Sequence, residues 1–330
     1  MRDRRSRGGD EKRNRTLDRL ERQSRGRPAQ AIGATTSMSN VSVLILTKNE
    51  AHNLAGCLQS IAWANDIHVL DSGSEDATVS IARAQGAQVS IRAFDGYASQ
   101  RNAGLRLPFR NDWILMLDAD ERIPRELAEE IQEFITQAPP AIGAARMRRR
   151  DFWWGRWLRH AQMSPFFVRL LRRGRVRCER EVNEVMVVDG AIYDLRNPFD
   201  HFPFSKGLDH WIAKHNTYSS MEAELIFRGD VSRPSWRAAL FGGDFNQRRL
   251  HQKAIFYRLP ARPLVKFFYL MLVRGAILDG APGARYAILQ SIYEYFITLK
   301  TKELQDWREH EEAGTSAITS ARVDGGCEAP

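Results

Sequence analysis

The chain has little cysteine, and the cysteines it has are poorly placed to pair or to bind metal. Cys57, Cys178 and Cys327 are scattered over 330 residues, and no Cys-x-x-Cys spacing occurs. An odd, scattered set argues against a disulfide framework and against a structural zinc site. We therefore expect a protein of a reducing, cytoplasmic compartment.

A long apolar run is also missing. The N-terminus is charged throughout and has no apolar stretch of the kind found in a secretory signal. The best candidate for a membrane span, from Leu264 to Leu278, is interrupted by Lys266 and Arg274. A helix that crosses a bilayer needs about 20 apolar residues, so the sequence predicts no spanning helix.

The glycine-rich loops that usually hold nucleotide phosphates are absent as well. No G-x-G-x-x-G motif follows the first predicted strand, and no G-x-x-x-x-G-K-S/T motif occurs anywhere. In those motifs, closely approaching glycines let backbone N–H groups bind the phosphates. If this chain binds a nucleotide, another group must neutralise the diphosphate, and a divalent cation is the natural candidate.

Positive charge is concentrated at the N-terminus. Residues 1–27 contain eleven Lys and Arg against five Asp and Glu, so they carry +6 of the formal net charge of +9. This composition predicts a disordered basic tail over residues 1–40. A nucleic-acid-binding protein that uses the tail is one alternative interpretation. No helix-turn-helix, RNP or zinc-finger pattern accompanies it, so specific nucleic-acid recognition is unsupported.

Strands and helices alternate in the segment that follows the tail. Short runs at Val41–Leu46, Ile67–Leu70, Gln88–Ile91 and Trp113–Leu117 predict strands, and helical patterns lie between them. Such alternation is typical of an α/β fold with a mostly parallel, doubly wound, Rossmann-like sheet and flanking helices.

Polar side chains collect just beyond three of these strands, at Thr47–Glu50, Asp71–Asp76 and Asp118–Asp120. Ligands of a doubly wound sheet bind outside the carboxyl ends of its strands, so these groups should lie close together. Mg²⁺ and Mn²⁺ typically take one or two carboxylates plus phosphate oxygens. We therefore expect Asp118 and Asp120 to hold a divalent cation; the alternative is that they cap the following helix.

The second half of the chain has two parts. An irregular segment dense in Trp and Arg runs from Arg146 to about Asn197, with plausible strands at Phe166–Leu171 and Val182–Val188. The pattern becomes helical from Gly207. The predicted organisation is an α/β domain over residues 41–205, a helical region over 206–304 and a flexible tail over 305–330.

Four segments of the first half resemble a known family: VSVLILTKNEAHNL, HVLDSGSEDAT, GYASQRNAGL and WILMLDADERI. In this order they closely resemble the family 2 glycosyltransferases, which have the GT-A fold. Among these, the chain is similar to bacterial enzymes of lipopolysaccharide-core and exopolysaccharide synthesis, such as the core β-1,4-glucosyltransferases. The resemblance extends from about Val41 to Lys302, and it implies a GT-A domain with a C-terminal helical region.

The resemblance also implies which residues bind the donor. The positions that match the family are Thr47, Asn49 and Glu50 for the nucleoside, Asp71 for the uracil imide nitrogen, and Arg101 near base and phosphate.

The same resemblance implies the metal ligands and the catalytic base. Asp118 and Asp120 match the metal-binding pair, with Asp120 the more direct ligand. Glu184, in the segment VNE, matches the position of the general base, and two nearby glutamates remain alternatives. Related core enzymes more often have His before this glutamate, where this chain has Asn183.

The activity implied is an inverting transfer of a sugar with a divalent cation, Mg²⁺ or Mn²⁺, as cofactor. The donor would be a nucleotide-sugar, and the resemblance implies a UDP-hexose. The acceptor would be a saccharide or lipid-linked saccharide of the cell envelope, reached at the cytoplasmic face of the inner membrane. A nucleotidyltransferase is the second alternative, but its glycine-rich phosphate loop near the first strand is not matched by TKNEAHN.

Some single residues have a second interpretation. Asp71 also suits a turn before Ser72-Gly73, and Arg101 also suits the surface of a helix. His201, in the segment DHFPF, is either a metal ligand or a packed, hydrogen-bonded residue. The second use is the commoner one for a lone histidine beside aromatic residues.

The tryptophans and the apolar C-terminal run also have two interpretations. Trp153, Trp154 and Trp157 lie among arginines, which is poor composition for a core, so we expect an acceptor or interface surface. The segment Leu264–Leu278 suits either the interface of an anionic membrane or a buried pair of C-terminal helices. A lipid-linked acceptor would be consistent with peripheral membrane contact.

Overall fold

The computed structural model describes residues 39–162, 164–179, 185–229, 233, 235–242 and 245–324. From Ser39 onward the chain forms one compact unit. Most of the predicted basic tail lies outside the described residues. The first strand begins at Ser39, slightly before the predicted start at Val41.

The first four strands form a parallel sheet whose carboxyl ends are level. The elements are, in chain order, β1 (Ser39–Thr47), α1 (Ala51–Ser60), β2 (Ala64–Asp71), α2 (Thr78–Ala84), β3 (Gln88–Ile91), α3 (Tyr97–Gly104) and β4 (Trp113–Asp118). β1 lies between β2 and β4, with Thr47 opposite Asp71 and Leu46 opposite Asp118. The predicted α/β fold and its parallel, level strand ends are confirmed.

The strands after Asp118 add antiparallel pairs, so the complete sheet is mixed. They are β5 (Glu121–Arg122), β6 (Ile142–Trp153), β7 (Arg156–Trp157), β8 (Phe166–Arg172), β9 (Val176–Glu179), β10 (Val185–Val188), β11 (Ala191–Asp194) and β12 (Phe199–His201), with helix α4 (Arg125–Gln137) between β5 and β6. The main sheet has the order β3-β2-β1-β4-β8-β6-β12-β5, and β7 and β11 pair with β6.

The predicted strand at Phe166–Leu171 is confirmed by β8, but the start of the segment, where the sequence pattern is irregular, is also a regular strand. β6 is a strand of 12 residues that pairs with β8, β11 and β12. Arg146 and Arg150 on β6 form ion pairs with Asp194 and Asp200 on the neighbouring strands. Because these charges are paired across the sheet, the strand lacks the apolar alternation that a sequence pattern reveals.

Both faces of β1 are buried, which explains its continuous apolar sequence. Val43 and Ile45 belong to a core cluster that also contains Leu54 of α1 and Leu127 of α4. Leu44 belongs to the cluster on the opposite face, against which α3 packs. Buried parallel strands of α/β proteins are apolar on both faces for this reason.

A C-terminal helical region follows the sheet, as predicted. It consists of α5 (Gly207–Phe227), α6 (Trp236–Phe241), α7 (Phe245–Phe256), α8 (Arg262–Phe268), a π-helical turn (Tyr269–Val273), a 3₁₀ turn (Ala276–Asp279) and α9 (Gly280–Asp324). α9 continues through the domain boundary suggested at residue 304. Within the part of the chain that the structure describes, no helix has the length and apolar character needed to cross a membrane.

A third apolar cluster joins the helical region to the sheet. Trp153 stacks on Phe204 with 4.1 Å between ring centroids, and Phe204 stacks on Trp211 at 5.8 Å. Leu270 of the π-helical turn packs into the same cluster. Trp153 is therefore a core residue, and its expected place on an acceptor or interface surface is wrong. Trp154 next to it is 64% exposed.

Candidate functional site

The polar groups at the strand ends meet, as predicted. Thr47 Oγ1 donates to Asp71 Oδ2 at 2.7 Å, and the Asn49 N–H donates to Ser74 Oγ at 2.7 Å. Asp118 ends the strand on the other side of β1. The residues expected to bind the donor therefore lie together at the carboxyl edge of the sheet.

Asp71 is fully buried in the turn after β2. One carboxylate oxygen accepts from the N–H groups of Gly73 and Ser74, at 2.9 and 2.7 Å. The other accepts from the hydroxyls of Thr47 and Ser74, at 2.7 and 2.6 Å. A carboxylate offers about four acceptor positions, so the imide N–H of a nucleobase would have to replace one of these donors.

A lysine from the loop after β12 contacts the loop after β1. Lys206 Nζ lies 2.5 Å from Glu50 Oε1 and 3.3 Å from the Lys48 carbonyl oxygen. Asn49, between them in sequence, has a φ of 53°, a left-handed conformation that asparagine tolerates better than most residues. Asn49 and Glu50 thus shape this loop, and Lys206 adds a cation beside the expected nucleoside position.

Two buried arginines hold Asp118. Arg101 Nη1 lies 3.3 Å from Asp118 Oδ1, and Arg169 Nη2 lies 2.8 Å from Asp118 Oδ2. Arg101 is therefore not the surface charge of the alternative interpretation. Burial opposes ionisation of Asp118, but the charges of Arg101 and Arg169 outweigh it and hold its pKa well below the ordinary value.

Glu121 is the second carboxylate that binds Arg169. Glu121 Oε1 lies 2.5 Å from Arg169 Nη2, and Glu121 Oε2 accepts from the Asp118 N–H at 3.1 Å. Burial raises the pKa of Glu121 to about 7, and the charge of Arg169 opposes that shift. Because Glu121 binds both the Arg169 guanidinium and the backbone N–H of Asp118, it fixes Asp118 at the end of β4.

His201 lies between two aspartates. Its Nε2 is 3.3 Å from Asp120 Oδ2, and its Nδ1 is 2.5 Å from Asp151 Oδ1. The pairing of β12 with β5 and β6 brings the three residues together. Burial opposes the charged imidazolium, but hydrogen bonds to Asp120 and Asp151 raise the pKa of His201 to about 9.

Asp120 and His201 fit a divalent cation. Adjacent ligands of an octahedral ion with bonds of about 2.1 Å are roughly 3 Å apart, and Asp120 Oδ2 is 3.3 Å from His201 Nε2. A carboxylate on the other ring nitrogen, here Asp151, is the usual outer partner of a metal-bound histidine. Among the described residues, no group of three His, Cys, Asp or Glu side chains is arranged to hold a metal, so phosphate oxygens and water would complete the coordination.

The residue expected to act as the base, Glu184, lies outside the described residues. β9 and β10, which flank it, form an antiparallel pair with Val185 opposite Glu179. The role of Glu184 stays a prediction.

Four charged residues of this site were not predicted from the sequence, namely Glu121, Arg169, Asp151 and Lys206. Glu121 lies three positions after Asp118, within the motif DADERI. The other three reach Asp118, His201 and Lys48 across 51, 50 and 158 positions of the chain, and no local pattern reports such contacts. A signal was available for Asp151, a lone acid within the run RRRDFWW. A charge buried among such neighbours requires a partner.

Similarity to known proteins agrees with the strand-end motifs. The model of glycosyl transferase family 2 matches residues 42–194. An uncharacterized glycosyltransferase of Rickettsia felis is 41% identical over 96 residues, which cover 29% of this chain and 34% of that protein. The chain therefore spans about a third of the length of the first relatives it matches.

A second relative matches over most of both chains. The lipopolysaccharide core biosynthesis glycosyltransferase LpsC of Rhizobium meliloti is 26% identical over 270 residues, which cover 79% of this chain and 91% of LpsC.

Similarity to solved structures is limited in extent. Glucosyl-3-phosphoglycerate synthase from Mycobacterium tuberculosis, in complex with Mn²⁺, uridine diphosphate and glucosyl-3-phosphoglycerate, is 21% identical with a TM-score of 0.30, over 37% of this chain and 51% of that one. A likeness of this extent carries no argument about the ligands of this chain. The four motifs and the family model agree, and residues 42–194 of this chain are similar to glycosyl transferase family 2.

Proposed function

We propose that this protein is an inverting glycosyltransferase that moves a sugar from a UDP-hexose to a lipid-linked saccharide. It would act in the synthesis of lipopolysaccharide or another cell-envelope polysaccharide, in peripheral contact with the cytoplasmic face of the inner membrane. The match to family 2 supports the reaction class, and the similarity to LpsC supports an envelope saccharide as acceptor. Residues 41–205 would bind the donor and catalyse transfer, and residues 206–304 would serve the acceptor side.

The observation that carries this proposal is the contact between Asp120 and His201, 3.3 Å apart beside the carboxyl ends of β1, β2 and β4. The chain has no glycine-rich phosphate loop, so a nucleoside diphosphate bound here needs another source of positive charge. A cation between Asp120 and His201 would supply it, and Arg101 and Lys206 would add side-chain charge nearby.

The metal site that we propose consists of Asp120 and His201, with Asp118 beside them. When bound, Mg²⁺ or Mn²⁺ would neutralise the charge that develops on the leaving diphosphate. Asp151 orients His201 through the contact at Nδ1. Direct ligation by Asp118 stays a prediction; since its two oxygens are engaged by Arg101 and Arg169, an indirect role fits better.

The remaining chemistry is assigned to protein side chains. Thr47, Asn49, Glu50 and Asp71 would surround the nucleoside. Glu184 would accept the proton of the acceptor hydroxyl as that oxygen bonds to the anomeric carbon. The nucleoside diphosphate would leave from the opposite face of the sugar, so the configuration inverts and no covalent enzyme intermediate forms.

The two alternative functions are less well supported. Neither a nucleotidyltransferase nor a nucleic-acid binder that uses the tail would account for the match of residues 42–194 to family 2. Deletion of residues 1–38, which precede the compact unit, distinguishes a transferase from such a nucleic-acid binder. A transferase should keep its activity on the nucleotide-sugar after this deletion, whereas a tail-driven binder should lose its affinity for nucleic acid.

The test is a screen of purified protein for release of nucleoside diphosphate from UDP-, GDP- and dTDP-sugars with Mn²⁺ or Mg²⁺. We expect turnover of a UDP-hexose that Asp120→Asn abolishes. The matched control is Asp112→Asn. Asp112 lies just before β4, at the end of the strand opposite to Asp118, and its side chain is 81% exposed. Wild-type turnover by Asp120→Asn, or full activity in EDTA, would contradict the metal assignment.

A further inference from the structure

An exposed apolar stripe runs along α8 and the π-helical turn. Its side chains are Leu264, Val265, Phe268, Tyr269, Leu272 and Val273, and all six are exposed. Pairs of neighbours recur every four positions, so they share one face of the helix. Leu272 and Val273 are 71% and 75% exposed. We call these six residues the apolar stripe.

The opposite face of the same segment is anchored in the protein. Leu270 is buried in the cluster that contains Phe204. Arg274, just beyond the stripe, donates to the carbonyl oxygens of His160 and Gln162 at 3.2 and 3.0 Å. The stripe is therefore the outer face of a fixed helix, and the alternative of a fully buried pair of C-terminal helices is wrong for this segment.

Helix α6 exposes further apolar side chains. Phe241 is 82% exposed, and Trp236 and Leu240 are also exposed. α7 lies between α6 and α8 in the chain and contacts both. Gln252 of α7 donates to the carbonyl oxygen of Ala239 on α6 at 3.0 Å. At the other end of α7, Lys266 Nζ of α8 lies 5.7 Å from the centroid of the Phe256 ring.

The same part of the chain is strongly basic. Residues 231–286 contain ten Lys and Arg against two acids, Asp244 and Asp279, which gives a net charge of +8. Asp279 is buried and pairs with His160 at 2.7 Å, so it offers little negative charge at the surface. The exposed cations include Arg237, Arg249 and Arg258.

We propose that the apolar stripe and α6 form a docking surface for a bilayer that contains anionic phospholipid. Exposed apolar patches of this kind mark interaction surfaces, and apolar side chains flanked by Lys and Arg bind at the boundary between head groups and acyl chains. The apolar side chains enter that boundary, and the exposed arginines contact lipid phosphates. The link to a lipid-linked acceptor rests on the proposed function, but the docking surface itself uses none of the catalytic residues.

Two other occupants fit less well. A second copy of this chain would bring exposed arginines such as Arg237, Arg249 and Arg258 near their own counterparts, and like charges at close range repel. A nucleic acid would satisfy the arginines but would leave exposed aliphatic residues such as Leu272 and Val273 in water. An anionic bilayer accommodates both the charge and the apolar area.

The test measures sedimentation of the full-length protein with vesicles. We expect binding to vesicles of phosphatidylglycerol and phosphatidylcholine, and weak binding to phosphatidylcholine alone. The double substitution Leu272→Ser/Val273→Ser should lower the partition coefficient at least about tenfold, because it removes two apolar side chains from the boundary. The control is Ile192→Ser, an exposed apolar residue on β11, which should bind as the wild type does.

A second pair of variants tests the charge. Arg237→Gln/Arg249→Gln should weaken binding to the anionic vesicles and reduce its sensitivity to salt. The basic N-terminal tail is present in every variant. Unchanged binding after Leu272→Ser/Val273→Ser would therefore assign membrane contact to the tail and overturn the proposal. Phe241→Ser provides an independent apolar variant should the double variant fold poorly.

Two further measurements separate the remaining outcomes. A lipid-free dimer that Leu272→Ser/Val273→Ser converts to a monomer would overturn the proposal in favour of a second copy. Hydrolysis of the nucleotide-sugar by the same variant, without lipid, should stay at the wild-type rate. Loss of vesicle binding with retained hydrolysis supports the docking surface, whereas absence of hydrolysis in the wild type contradicts only the proposed function.

Discussion

The Nε2 atom of His201 lies 3.3 Å from Asp120 Oδ2, while its Nδ1 atom lies 2.5 Å from Asp151 Oδ1. The first aspartate follows β4, and the second lies on β6, a strand at some distance along the chain. The buried Asp151 carboxylate fixes the ring, so Nε2 is held towards Asp120. In the metal site that we propose between Asp120 and His201, Asp151 is therefore the outer partner that orients the histidine.

Replacement of Asp151 should weaken metal binding without removing a ligand. In Asp151→Asn the carboxylate charge behind His201 is lost, which lowers the basicity of the imidazole and loosens its orientation. Loss of such an outer partner typically lowers metal affinity about 10- to 100-fold. Titration of donor turnover with Mn²⁺ should therefore show a higher half-saturating concentration and a maximal rate close to that of the wild type.

The control for this experiment is Asp200→Asn. Asp200 neighbours His201 in sequence but pairs with Arg150 at 2.6 Å, so it should not change the dependence on Mn²⁺. A variant Asp151→Asn that keeps the wild-type half-saturating concentration would show that Asp151 does not act through the metal ligand.

Removal of Arg169 should destabilise the protein strongly. The buried guanidinium contacts Asp118 at 2.8 Å and Glu121 at 2.5 Å. Arg169→Met leaves these carboxylates without their shared partner, and breaking a buried ion pair in this way costs about 3–5 kcal/mol. Urea denaturation should therefore show that the free energy of unfolding falls by about 3–5 kcal/mol relative to the wild type.

Arg125→Met is the matched control. Arg125 pairs with Glu129 on the surface of α4, and its side chain is 88% exposed, so the free energy of unfolding should hardly change. Equal stability of the Arg169 and Arg125 variants would mean that Asp118 and Glu121 find other partners or become protonated.

The sequence was informative where its pattern is local. The alternation of apolar strands and helices up to Asp118 predicts the parallel sheet, because each strand is buried on both faces and reads as an apolar run. The convergence of Thr47, Asp71 and Asp118 follows from that sheet alone, since the carboxyl ends of parallel strands lie at one edge.

The sequence was uninformative where contacts are distant. Arg169 and Asp151 belong to β8 and β6, strands rich in arginine whose charges are satisfied only across the sheet. The helical pattern of Leu264–Leu278 likewise predicts a helix with an apolar face. Whether that face meets a core or solvent depends on the opposite side, where Leu270 occupies the cluster around Phe204.

Lys206 should contribute to donor binding by holding the loop after β1. Lys206→Met removes the contacts to Glu50 and to the Lys48 carbonyl oxygen, and it leaves the half-buried carboxylate of Glu50 without this cation. We expect the affinity for uridine diphosphate in the presence of Mn²⁺ to fall about tenfold, equivalent to roughly 1.4 kcal/mol, as measured by calorimetry.

Lys214→Met provides the comparison, because Lys214 lies on the exposed surface of α5 over the Tyr218 ring. That variant should bind uridine diphosphate as the wild type does. If Lys206→Met also binds normally, the loop after β1 keeps its shape without the lysine, and the nucleoside position would have to be sought elsewhere.

Gly143 is required because β6 and the chain before β11 approach each other closely. A Cβ atom at Gly143 would overlap the backbone carbonyl oxygen of Asp189 and would lie 2.9 Å from Val188 Cγ1. Overpacking of this kind costs about 1–3 kcal/mol, so Gly143→Ala should lower the midpoint of urea denaturation. Because the tighter of the two contacts is with backbone, trimming the side chain in Gly143→Ala/Val188→Ala should not restore the midpoint. Recovery in that double variant would instead identify the Val188 side chain as the obstacle, and it would mean that the backbone at Asp189 can move to admit a methyl group.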